Sequence, residues 1–133
     1  SLGNLKPDNQ RHSMTMTRHK PNTRMSQAVR AGDTIYLAGQ IPDTRDAGIA
    51  AQTTETLGKI DALLAEMGGS KSDLASVQVW LHDMADFAGM NAAWDAWVDP
   101  ENPPARATGG VALASAPSGV RIEIIATAYL PQG

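Results

Sequence analysis

Apolar residues fall into regular rhythms only from Ser26 onward, and that change divides the chain. Residues 1–24 show no apolar periodicity; they hold Pro7, Pro21, three asparagines and the basic residues Lys6, Arg11, Arg18, Lys20 and Arg24. Such a stretch buries too little to offset its ordering entropy, so residues 1–24 are expected to form a flexible arm ahead of a domain spanning 25–133. Ser1-Leu2-Gly3 reads as an appended remnant, with Met14 or Met16 available as a natural start.

Within the domain, Ser26 to Arg30 and Thr34 to Ala38 read as two strands, and the Gly-Asp pair in Ala31-Gly32-Asp33 is a hairpin signal. Pro42 and the polar run to Gly48 end that hairpin. Thr53, Leu57, Ile60, Leu64 and Met67 then recur at alternating spacings of four and three, one face of an amphipathic helix stopped by Gly68-Gly69. Val77, Val79 and Leu81 alternate within a strand from Leu74 to Leu81. Asp83 to Asp86 can cap a second helix, on which Phe87, Met90, Trp94 and Trp97 with Val98 form one stripe. Asp99, Pro100, Pro103 and Pro104 end it. Two further strands are expected, Arg106 to Ala114 and Val120 to Leu130, around a turn at Pro117-Ser118-Gly119. The order β-β-α-β-α-β-β predicts a two-layer α+β domain, with two helices on one face of a mixed or mostly antiparallel sheet.

The last strand sets Val120, Ile122, Ile124, Ala126 and Ala128 against Arg121, Glu123, Ile125, Thr127 and Tyr129. One set can meet the helices. The other still carries Ile125 and Tyr129, so the far face of the sheet calls for a partner surface, and self-association supplies one.

Composition narrows the function. The length of 133 residues is that of one domain, and a net charge of -3 argues against a general binder of nucleic acid or of anionic membranes. The absence of cysteine removes disulfides, thiolate metal sites and a thiol nucleophile together, and fits a reducing compartment. No apolar run approaches the roughly 20 residues that cross a bilayer, so a cytoplasmic location is expected.

Three side chains stand out. Arg106 follows Pro103-Pro104-Ala105 at the mouth of a strand, where a fixed backbone can aim its planar fork at a carboxylate; a surface salt bridge is the alternative. Glu123 lies mid-strand between Ile122 and Ile124, and burial there would raise its pKa toward general-base range; an ion pair with Arg121 or with a basic group of another chain competes with that role. Asn91 is an amide beside the apolar stripe of the second helix, where asparagine is unfavourable unless it has a hydrogen-bonding duty. His82, Asp83 and Asp86 match no strong metal signature, so neither metal nor cofactor is expected.

Met25-Ser26-Gln27-Ala28-Val29, Ile35 to Pro42, Asp83 to Phe87 with Met90-Asn91, Pro104-Ala105-Arg106 and Ile122-Glu123-Ile124 occur in the order of the RidA/YjgF family. The chain resembles that family over about residues 21 to 130, and Met90 to Val98 is similar to its YoaB-like branch. The resemblance implies a chorismate-mutase-like fold and a homotrimer with clefts between subunits. It further implies hydrolysis of reactive 2-imino or enamine acids, such as 2-aminoacrylate and 2-iminopropionate, to 2-keto acids and ammonia. Arg106 would clamp the substrate carboxylate, and backbone groups around Gly39 and Ala107 would contact the rest of the ligand. Met25, Ala38 and Thr108 stand where the best-studied branch has tyrosine, serine and cysteine. That branch's water-activating glutamate falls on Ile125; Glu123 lies on the same strand face, roughly 6.6 Å away. A non-catalytic binder of small keto or amino acids is the first alternative, and an endoribonuclease or translation inhibitor the second.

Overall fold

The computed structural model describes residues 15–132, and within them six strands form one mixed sheet with two helices on a single face. The strands are β1 (Met16–His19), β2 (Ala28–Ala31), β3 (Thr34–Leu37), β4 (Leu74–Leu81), β5 (Ala105–Gly110) and β6 (Ile122–Tyr129). The helices are α1 (Ile49–Glu66) and α2 (Phe87–Trp97). Across the sheet the order is β1-β2-β3-β6-β4-β5, antiparallel except for the parallel pair β4 and β5 that flanks α2. None of the described helices is long and apolar enough to cross a membrane.

The expected alternation decides what is buried. Ile122, Ile124, Ala126 and Ala128 of β6 face the helices with Val77, Val79 and Leu81 of β4 and Ile35 and Leu37 of β3. Leu57, Ile60 and Leu64 of α1 and Met90 and Trp94 of α2 close over them. Helix α1 starts four residues before the apolar stripe, at Ile49, and ends where Gly68 turns to φ +88. Helix α2 follows a tight turn over Met84–Asp86, whose start is capped by Asp83 accepting from Ala85 N at 2.9 Å. Phe87, expected in the buried stripe, is 40% exposed, because the stripe turns inward only at Met90.

Two boundaries depart from expectation. Part of the expected arm is a strand: Met16–His19 pairs with β2, from Met16 opposite Ala31 to His19 opposite Ala28. Its sequence carries no apolar alternation because an edge strand needs only backbone bonds. Two side-chain contacts add to them, His19 Nε2 to Glu66 Oε1 at 2.6 Å and Lys20 Nζ to the same carboxylate at 3.0 Å. Residues 1–14, with Ser1-Leu2-Gly3 and Met14, lie outside the described residues. At the other end, β5 stops at Gly110 rather than Ala114, since β4, its one neighbour among the described residues, ends at Leu81.

Polar bolts join the loops above the sheet. Gln52 is fully buried; its amide donates to the carbonyls of Gly119 at 2.9 Å and Ala47 at 3.2 Å, and its oxygen accepts from Arg121 N at 2.9 Å. Arg121 in turn grips Asp86 through Nη2 at 2.6 Å and Nε at 3.1 Å, tying the start of α2 to β6. Asp99 holds the segment leading to β5 by accepting from Ser72 Oγ at 2.7 Å, Asn102 Nδ2 at 3.0 Å and Glu101 N at 3.0 Å. These donors favour the ionised form and lower its pKa from 3.8 to about 2, the Ser72 hydroxyl most of all.

Away from the helices the sheet is bare. Met16, Tyr36 and Tyr129 are exposed on it, and Val29, Trp80 and Ile125 are half-buried. The apolar second face expected from β6 thus runs across the sheet.

Two outcomes are expected in solution. Replacing Gln52 with Leu strands its buried partners and lowers unfolding stability by about 2–3 kcal/mol, read as a lower urea midpoint at unchanged slope. Because the Asp99 carboxyl is lowered on folding, its stabilising effect is complete above pH 3.8 and is lost as the pH falls toward about 2. Acid unfolding curves of Asp99→Asn should therefore be flatter than wild type across that window.

Candidate functional site

Edge strand β5 sets Arg106 on the helix side of the sheet, opposite buried Val77. Its Nη1 donates to Asn91 Oδ1 at 2.8 Å and lies 4.0 Å from the Met90 sulfur, and the guanidinium carbon stands 5.1 Å from the Trp94 ring centroid. Two residues picked out separately in the sequence, Arg106 and Asn91, are therefore in direct contact. The amide at position 91 spends its oxygen on orienting the cation, a neutral partner that leaves the charge uncompensated.

No carboxylate among the described residues pairs with Arg106, so the salt-bridge alternative does not hold there. Its Nε and Nη2 have no protein acceptor among those residues. These two groups form the side edge of the guanidinium, the parallel pair of donors that matches a carboxylate. Two positions along the same strand face, the Thr108 hydroxyl oxygen is buried and without a hydrogen-bond partner. A buried hydroxyl without a partner is costly, so this point of the strand carries an unmet hydrogen-bonding demand.

Glu123 stands elsewhere. It is opposite Trp80 in the pairing of β6 with β4, on the bare face of the sheet together with Ile125, which is opposite Gln78. Burial raises its pKa above 4.5, and the competing pair with Arg121 is not formed because Arg121 is held by Asp86. The carboxylate packs against Gly39, where a Cβ would collide with Oε2. Gly39 and Ala38 follow β3, and Ala38 N is held by the Gln27 carbonyl at 2.9 Å. Ala107 points to the bare face, between Arg106 and Thr108. Met25, 44% exposed, sits in the loop before β2, where Asn22 Oδ1 accepts from its backbone N–H at 2.9 Å.

The nine residues singled out in the sequence thus fall into two groups on opposite faces. Arg106, Asn91 and Thr108 gather on the helix side; Glu123, Ile125, Gly39 and Ala107 belong to the bare side, with Ala38 and Met25 in the loops around β2 and β3. Of the acidic and histidine residues tested as metal ligands, Asp86 is occupied by Arg121, and His82 Nδ1 accepts from Leu113 N at 3.4 Å. In the sequence Trp94 is one position of the apolar stripe, with nothing to mark it for the site. Its spacing of twelve residues from Arg106 carries no pairing signal, since the contact runs between a helix and the edge strand that follows it.

Comparison with known proteins agrees with this architecture. Residues 15–130 match the family described as Endoribonuclease L-PSP. A RutC family protein of Haemophilus influenzae is 44% identical over 115 residues, covering 86% of this chain and 99% of that protein. The RutC family protein YoaB of Escherichia coli is 39% identical over 113 residues, covering 85% of this chain and 98% of that one. A crystal structure of a YjgF family member from Neisseria meningitidis superimposes with a TM-score of 0.84 at 37% identity, covering 92% of this chain and all of its own. With two helices on one face of a mixed sheet, and likeness over nearly the whole described length, the chain belongs to the RidA/YjgF family.

Proposed function

We propose that this chain is a cytoplasmic deaminase of reactive 2-imino and enamine acids, acting at clefts between the subunits of a homotrimer. The observation that carries the reading is Arg106, a half-buried guanidinium oriented by neutral groups alone, with its Nε–Nη2 edge open and the unpartnered Thr108 hydroxyl two positions along the same strand face. A site of that build suits a small carboxylate bearing a second polar group. A simple anion would leave the hydroxyl without a purpose.

In the proposed reaction the carboxylate of a 2-imino acid docks on Arg106. Water adds to the imine carbon, the nitrogen takes up a proton, the C–N bond breaks, and a 2-keto acid and ammonia leave. Imines hydrolyse readily, so holding the carbon beside a bound water can provide much of the acceleration. Glu123, its pKa raised by burial, is the candidate base for that water. Arg106 and Glu123 of one chain lie on opposite faces of the sheet, so a shared substrate requires them to come from different copies. That requires the β5 edge of one copy, which carries Arg106, to dock against the bare face of the next beside its Glu123, a docking that would also cover Ile125.

A second reading, a non-catalytic binder of small keto or amino acids, is favoured by Ile125: by the resemblance it stands where the best-studied branch has its water-activating glutamate, and an isoleucine cannot move a proton. The family description names an endoribonuclease. A net charge of -3 gives this chain little of the basic surface that RNA binding relies on.

The test generates 2-imino acids in situ with an amino-acid oxidase and traps residual imine with semicarbazide. Wild type should accelerate imine loss. Arg106→Ala should lower kcat/KM by about 100-fold or more, the worth of two charge-assisted hydrogen bonds. Glu123→Gln should lower kcat with little change in KM. No acceleration by wild type, alongside calorimetric binding of pyruvate, would select the binder instead.

A further inference from the structure

Trp94 lies within a line of four side chains that starts at the carboxylate clamp itself. The Arg106 guanidinium is at one end, 5.1 Å from the Trp94 ring. The Trp97 ring follows at 5.4 Å, tilted by 53°, and Lys71 Nζ stands 5.2 Å from its centroid. The far end is pinned to the fold: Trp97 Nε1 donates to Asp61 Oδ2 at 2.9 Å, and Lys71 Nζ donates to the Trp97 carbonyl at 2.5 Å. Trp94 is only 7% exposed, so it has little surface to offer a ligand.

Two restraints are needed to fix a planar fork. The hydrogen bond from Nη1 to Asn91 sets one point in the guanidinium plane but leaves the plane free to rock about it. An aromatic face attracts the cation from the perpendicular direction and removes that freedom. Arginine loses much rotamer entropy when it binds, and a fork held in advance has less to lose at the moment of capture.

We propose that Trp94 is a positioning residue: its ring fixes the plane of Arg106 so that the open Nε–Nη2 edge meets a substrate carboxylate ready-aligned. This rests on the carboxylate-clamp reading above. Trp97, Asp61 and Lys71 act one step further back, by keeping the Trp94 ring in place.

The experiment compares wild type with Trp94→Phe and Trp94→Leu, using pyruvate as the binding probe and 2-iminopropionate as substrate. Trp94→Leu removes the aromatic face and should weaken pyruvate binding about tenfold, with KM raised to match and kcat little changed. Trp94→Phe keeps a smaller face and should restore most of the loss. A general packing defect would lower kcat and the thermal midpoint instead, without rescue by the ring. Pyruvate should also shift the tryptophan emission of wild type, and that shift should vanish in Trp94→Phe while binding persists; this arm stands even if Trp94→Leu fails to fold. Equal affinity in Leu and Phe variants, or an emission change that survives Trp94→Phe, overturns the positioning role while leaving the clamp intact. A wild type that takes up no pyruvate and consumes no imine overturns both.

Discussion

Strand β6 is hydrogen-bonded on both sides, to β3 and to β4, and its alternation sorts the whole molecule. Ile122, Ile124, Ala126 and Ala128 draw α1 and α2 onto one face, while Glu123, Ile125, Thr127 and Tyr129 are left to the other. A sheet roofed on one side cannot hide both rows. The chemistry is divided by the same rule, because the register that buries Val77 opposite Arg106 sends Trp80 and Glu123 the opposite way. A one-residue slip of β6 would exchange the two faces, so the apolar core specifies the position of the site residues as firmly as it specifies the fold.

Arg106 illustrates how a cation can be kept available inside a protein whose net charge is -3. Asn91 and Trp94 satisfy it by a dipole and an aromatic face, neither of which neutralises it. The contrast with Arg121 is instructive. That side chain is spent on Asp86 through two bonds, and the pair serves to fasten α2 to the sheet. The loop that carries Arg106 to its place is set by the Asp99 cluster and by prolines 103 and 104.

Much of this was legible in the sequence, because the signals were local. Alternation in β4 and β6, the four-and-three spacing on α1, and the aspartate cap before α2 gave elements within a few residues of those observed. Strand β1 was missed because Met-Thr-Arg-His has no buried side and is held by backbone bonds and by the distant Glu66. At the site, the contact between Arg106 and Asn91 was hidden for the same reason: both residues were conspicuous, yet only the crossing of α2 over the parallel pair brings them together. Trp94 looked like core because it is core, and its second role follows from which side chain lands on its ring. The split of Arg106 from Glu123 was also out of reach, since it depends on the parallel register of β5 against β4.

If Arg106 is held open for a substrate carboxylate in a cleft completed by another copy of the chain, a crystal structure of the protein grown with pyruvate will show it. The pyruvate carboxylate should lie on Nε and Nη2 of Arg106, with residues of a second copy closing the site. Finding Arg106 instead paired with a carboxylate from a neighbouring copy, with pyruvate elsewhere or not bound, would contradict it.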